Sequence, residues 1–176
     1  KHTSTHTSQS VFPNETKVGQ TFTESAATSL RLVGDRITAK RIDLGGNTIQ
    51  VLPAQTTTNT STQTISSGFM GDQSLSSFYQ THNDSAQMTA DQLNMRAQQS
   101  IMLQSPHITT TQGTKLTSPE VAILCAQDYT SHSSTEISND FFFIEQNTTN
   151  STHVIQRPGH ITGPLHINSE TPPVLE

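Results

Sequence analysis

A parallel β-helix is the all-β fold this sequence predicts, on three observations. They are a gapless internal repeat at an offset of 72 residues, short apolar runs in period-two alternation, and a polarity carried by uncharged side chains. Ser and Thr number 50 and Gln and Asn another 25 of 176 residues, while only 30% are hydrophobic and 13% charged. A disordered chain is poor in β-branched residues and rich in net charge; this one has 29 Thr, a recurring Ile/Val/Leu set and a net charge of only −5. Thr suits a pleated surface, because its branched Cβ restricts χ1 and its hydroxyl satisfies neighbouring polar groups.

The repeat aligns Leu52-Pro53-Ala54-Gln55 and the Thr/Ser tract up to Phe69 with Leu124-Cys125-Ala126-Gln127 and the tract up to Phe141. Eight of the eighteen aligned positions are identical, and Leu, Ala, Gln, Ile and Phe are among them, which a Ser/Thr bias cannot produce. Upstream, Leu44, Ile49 and Val51 face Leu116, Val121 and Ile123 at the same offset. A third, truncated copy is expected at Thr3 to Phe12, by alignment with Thr60 to Phe69.

Within each unit the strand signals come in order. Arg41-Ile42-Asp43-Leu44 and Thr48-Ile49-Gln50-Val51 alternate polar with apolar, and Gly45-Gly46-Asn47 between them predicts two short strands joined by a turn. Apolar pairs recur at Leu30/Leu32, Ile101/Leu103, Ile108, Val121/Ile123, Val154/Ile155, Ile161 and Leu165/Ile167, separated by Gly, Pro, Asn, Asp or Ser. The only stretch of helical composition, about Ser85 to Ser100, does not hold a 3.6-residue stripe. Short strands at regular spacing suit a sandwich, a barrel or a solenoid, and the repeat selects the solenoid. Stacked coils need few inward apolar residues each, and their outward positions can be almost wholly Thr, Ser, Gln and Asn.

At these residues the chain resembles the haemagglutinin repeats of filamentous haemagglutinin and related two-partner secretion exoproteins, contact-dependent growth inhibition effectors among them. The resemblance lies in Gly34-Asp35-Arg36-Ile37-Thr38, Gly45-Gly46-Asn47-Thr48-Ile49, Ala126-Gln127-Asp128-Tyr129 and the tract Thr130-Ser131-His132-Ser133-Ser134, and spans about residues 3 to 145. The second unit departs from it, with Ala97-Gln98-Gln99 and Ser118-Pro119-Glu120 in place of turn glycines. The resemblance implies an all-β, right-handed parallel β-helix (solenoid) with Ser/Thr-rich outward faces. It also implies export through a cognate outer-membrane transporter and a place on the cell surface of a Gram-negative bacterium. The expected division is residues 1–145 as coils with about two full repeats, and 146–176 as a terminal coil or irregular Pro-containing tail.

Composition bounds the function. Nine Lys and Arg without a basic block lack the footprint of a nucleic-acid binder. No apolar run approaches membrane-spanning length, and no signal peptide opens the chain, so a piece of a larger exoprotein is expected. Cys125 stands alone in the apolar run Val121 to Ala126 and is expected to be a small core residue. His2/His6 and His160/His166 lack a third convergent ligand, so no metal or cofactor is expected. Asp35, Arg36, Lys40, Arg41 and Asp43 form the best candidate for lyase or hydrolase chemistry, yet their alternation with Ile37, Ile42 and Leu44 reads as solvated outward positions. No nucleophile elbow occurs. N-x-S/T sequences at Asn14, Asn59, Asn83, Asn147 and Asn150 exceed chance only slightly. Phe69-Met70 and Phe141-Phe142-Phe143 are expected to cap the core.

The resemblance implies a β-helical stalk in adhesion or contact-dependent toxin delivery, with a surface receptor or glycan as partner, and no catalytic residue is expected. The alternatives are a trimeric β-helical spike of a phage tail or secretion system, which oligomer mass separates, and a polysaccharide-processing enzyme, which a depolymerisation screen separates.

Overall fold

The computed structural model describes residues 14–65, 71–139 and 143–176, and the backbone alone of residues 2–9. It is all-β, with strands predominantly parallel in the larger of two sheets. After β1 (His2–Gln9), the chain runs through β2 (Glu15–Lys17), β3 (Thr21–Ser25) and β4 (Ser29–Val33), then β5 (Arg36–Thr38) and β6 (Arg41–Leu52). β7 (Ala54–Ile65) and β8 (Gln73–Asp84) follow, then β9 (Gln87–Gln104), β10 (His107–Thr117) and β11 (Glu120–Leu124). β12 (Ala126–Asn139) and β13 (Ile144–Arg157) precede β14 (His160–Thr162), β15 (Leu165–Asn168) and β16 (Val174–Leu175).

Two compact units share this chain. The second comprises residues 11–54, 83–126 and 156–176, and the first comprises residues 1–10, 55–82 and 127–155. The sequence-based boundary at residue 145 coincides with none of these divisions.

In the second unit, parallel pairing builds three columns. The first stacks β2, β5, the start of β9, β10 and β14, with Ile37, Met88, Ile108 and Ile161 in line. The next stacks β3, β6, β9, β10 and β15, aligning Phe22, Ile42 and Leu93, and beside them Leu44, Met95, Leu116 and Ile167. The last stacks β4, β6, β9, β11 and β16, with Leu30, Ile49, Ile101 and Val121 in line. Each rung adds one strand segment to every column, and five rungs are present, at 15–33, 36–52, 87–104, 107–124 and 160–175.

Period-two alternation explains the core. Ile42, Ile49, Val51, Leu93, Leu103, Ile108 and Leu116 are all 0% exposed and form one apolar cluster. Burial of each such side chain stabilises by roughly 1.5–3 kcal/mol, so a sparse apolar set suffices when every member is fully covered. The 72-residue repeat now has a geometric meaning: Leu44 pairs with Met95, which pairs with Leu116, and Ile49, Ile101 and Val121 do the same. Aligned positions lie two rungs apart, so one repeat is two rungs plus the paired arms between them.

Corners use small residues. Gly34, between the first and second rungs, has φ +66°, and a Cβ there would lie 2.5 Å from Ala54 Cβ. Its counterpart between the third and fourth rungs is Ser105, the only non-Gly residue with positive φ among those described, at 48°. Gly45-Gly46-Asn47 does not end a strand. β6 runs through it, and the register with β9 shifts between Gly46 and Thr48, so the predicted turn is a corner inside one strand. The region of helical composition is β9, whose Met88, Ala90, Leu93, Met95, Ala97, Ile101 and Leu103 are buried. Residues 160–175, within the Pro-containing tail, pair as the fifth rung.

The first unit is one five-stranded sheet in the order β1-β7-β8-β12-β13, with β1 antiparallel to β7 and β8 antiparallel to β12. The Ser/Thr tracts of the repeat are thus β7 and β12, equivalent arms of two pairs. β1 corrects the alignment of Thr3–Phe12 with Thr60–Phe69. Gln9 pairs with Thr57 just as Thr81 pairs with Tyr129, so β1 occupies the place of β8 and not of β7. Both arms are Thr/Ser-rich, which is why composition alone cannot tell them apart.

Candidate functional site

The middle column of the second unit carries the densest set of polar functional groups. With Ile42, Leu44, Leu93, Met95 and Leu116 turned inward, Arg41, Asp43, Asn94, Arg96 and Lys115 must point outward. Register sets them in rows: Thr23, Asp43, Asn94, Lys115 and His166 form one, and Ser25, Gly45, Arg96, Thr117 and Asn168 the next. Neighbouring strands lie about 4.8 Å apart, so each row offers a side chain at every rung. The rows border a cleft of about 540 Å³ whose floor includes Gly45, where a Cβ would already touch Ser25 Cβ at 3.5 Å.

Asp43 is the electrostatic pivot. Its Oδ2 accepts from Arg41 Nε at 2.7 Å and its Oδ1 from Asn94 Nδ2 at 2.8 Å. Burial alone would raise its pKa. The two hydrogen bonds and the Arg41 charge outweigh that effect and hold the carboxyl below its ordinary range. Asp43 is thus a fixed anion with both oxygens engaged, poorly suited to accept a proton from a substrate. Among the described residues, Arg96 and Lys115 take part in no ion pair. The cleft therefore presents two cations outside any ion pair, Arg96 and Lys115, among hydroxyl and amide groups and the Glu24 carboxylate.

The predicted cluster of Asp35, Arg36, Lys40, Arg41 and Asp43 is split. Arg41 and Asp43 line this cleft, whereas Asp35 sits at a corner, accepting from the Val33 N–H at 3.0 Å. Arg36 lies in the first column, in register with Glu15 and Gln87. Arg96, Lys115 and Asn94 were not singled out by sequence. The signal available was register: once Leu44, Met95 and Leu116 are aligned in one column, their polar neighbours fall in rows.

The first unit holds a second polar cluster. His82 Nδ1 lies 2.9 Å from Asp128 Oδ2, across directly paired strands, and the Asp128 side chain is 9% exposed. On the other side of the same strands, Tyr79 and Tyr129 meet edge to face at 5.9 Å, both partly open to solvent. Asp128 belongs to the Ala-Gln-Asp step noted in the sequence, but its partner lies 46 residues away.

Among the described residues, no group of three or more His, Cys, Asp or Glu is arranged to hold a metal ion. His160 and His166 lie in different columns, and His160 instead stacks beside His107, with ring centroids 5.5 Å apart. The side chains of His2 and His6 lie outside the described residues. Cys125 corrects its expected place in the core: it is only partly buried, at the junction of β11 and β12 where alternation breaks. Phe69, Met70, Phe141 and Phe142 lie outside the described residues, and Phe143 is 77% exposed, which removes it from the core. Of the five N-x-S/T asparagines, Asn83 is buried, whereas Asn14, Asn59, Asn147 and Asn150 are exposed. No helix among the described residues is long and apolar enough to cross a membrane. No family model, curated protein or solved structure matches this chain.

Proposed function

We propose that this chain is a structural and adhesive segment of a large secreted surface protein of a Gram-negative bacterium. Its rungs are wound as a right-handed parallel β-helix, and its role is that of a stalk in cell adhesion or contact-dependent toxin delivery. The observation that carries this reading is the equivalence of the 72-residue repeat to two stacked rungs plus one pair of arms. A unit of that kind extends indefinitely by repetition, since each rung presents the next with the same edge.

Adhesion is assigned to the open polar face of the middle column. Binding spread over rows of Thr, Ser, Asn, Arg and Lys suits a hydroxyl-rich surface glycan or a receptor bearing one, and the fixed Asp43 supports a non-catalytic role. Export through a cognate outer-membrane transporter belongs to the same reading.

The test is binding of the purified chain to a glycan array and to cultured target cells. Retention by a discrete glycan class is expected, with a fall of about tenfold or more in Arg96→Ala/Lys115→Ala and in Gly45→Gln, which fills the cleft. Binding unchanged in these variants, or no binding to any surface, overturns the assignment.

A further inference from the structure

We propose that the free edge of β13 is a docking site for one further antiparallel strand, an extended Thr/Ser-rich segment with the pattern of β7 and β12. β13 ends the sheet order of the first unit, and all fourteen of its residues are exposed. It contains neither Pro nor Lys, the residues by which exposed edges are usually blunted, and its charges are confined to Glu145 and Arg157 near its two ends. A fourteen-residue edge without Pro or Lys presents a ladder of backbone donors and acceptors to any strand of matching length.

The nature of the occupant follows from what covers the equivalent strands. β1, β8 and β13 each lead into a rung, beginning at Glu15, Gln87 and His160 respectively. β1 is covered by β7 and β8 by β12, both antiparallel. The two registers are the same: Gln9, six residues before its rung, pairs with Thr57, and Thr81, six residues before its own, pairs with Tyr129. Thr57 and Tyr129 are themselves 72 residues apart and each lies three residues past the Ala that opens its strand. The corresponding position on β13 is Val154. A strand opening Ala-Gln therefore pairs with β13 so that its fourth residue faces Val154, continuing an interface the chain already makes twice.

The probe is a fluorescent peptide of residues Ala126–Asn139, titrated into the full chain carrying Cys125→Ser. Saturable binding is expected, with a scrambled peptide of the same composition inert. Since a strand uses one edge, N-methylation of one set of alternate peptide residues should abolish binding and of the other set should spare it. Disulfide trapping fixes the register: Val154→Cys should capture the peptide with Tyr129→Cys in preference to peptides carrying the thiol one residue either way. The proposal is overturned if the peptide fails to bind, if both N-methylated sets bind equally, if the scrambled peptide binds as well, or if trapping shows no preferred register. It is also overturned if Val154→Cys chains instead pair with one another as disulfide dimers that the peptide does not displace.

Discussion

Asn94 donates its Nδ2 proton to Asp43 Oδ1 at 2.8 Å, joining two successive rungs through side chains whose backbones are already paired in register. This contact, with the Arg41 bond on the other oxygen, lowers the Asp43 pKa. A depressed folded-state pKa means that Asp43 stabilises the fold fully above its unfolded pKa of about 3.9 and loses that contribution as pH falls through the lower folded value. Asp43→Asn should cost roughly 1 kcal/mol at pH 6, a figure kept small by partial solvent access. The gap between wild type and variant should narrow as pH falls from the unfolded pKa through the lower folded one. Denaturant titrations across pH 2.5–7 measure both, and a gap independent of pH would remove the electrostatic account.

Ser118 is 4% exposed, and its hydroxyl has no hydrogen-bond partner among the described residues. It directly follows Thr117, the last residue of β10 in register with β9. A buried unsatisfied polar group costs about 1–3 kcal/mol, so Ser118→Ala should raise stability by about 1 kcal/mol. Thermal melts of the two proteins decide it, and a lowered Tm would mean that the hydroxyl is satisfied in solution.

Gly34 combines positive φ with a 2.5 Å approach of a would-be Cβ to Ala54. Gly34→Ala should therefore destabilise by about 2 kcal/mol or more, since left-handed backbone alone costs a non-glycine residue roughly 1–2 kcal/mol. Gly19, with nothing within 4 Å of its Cβ position, supplies the neutral control as Gly19→Ala. Equal effects at the two sites would contradict the corner geometry.

Leu93 is 0% exposed in the middle of five stacked rungs, whereas Phe143 is 77% exposed. Leu93→Ala should cost about 3 kcal/mol through lost burial and the cavity left behind. Phe143→Ser should stay within about 0.5 kcal/mol of wild type. Chemical denaturation of both variants checks the contrast, and unfolding of the Phe143 variant would restore aromatic capping of the core.

Much of the fold was legible. Ile42/Leu44 and Ile49/Val51 alternate with polar neighbours, and such alternation states which side of a strand is buried without reference to any partner. The polar cleft was half legible: Arg41 and Asp43 belong to a visible cluster, but Arg96 and Lys115 reach the same face only because β9 and β10 stack in register on β6. Gly45-Gly46-Asn47 misled for a related reason, since glycines and Asn serve a corner within a strand as readily as a turn that ends one.

By itself the sequence determined the all-β class, the alternating inward residues of the second rung and the period of the repeat, because these depend on local alternation and on self-similarity. Only the tertiary structure decided that the Thr/Ser tracts lie in a sheet of their own, each antiparallel to a partner arm, that β1 stands in the place of β8, and that two rungs separate aligned positions. Hydrogen-bond partners between strands far apart in the chain set those outcomes, and a strand rich in Thr and Ser on both faces carries no pattern that names its neighbour.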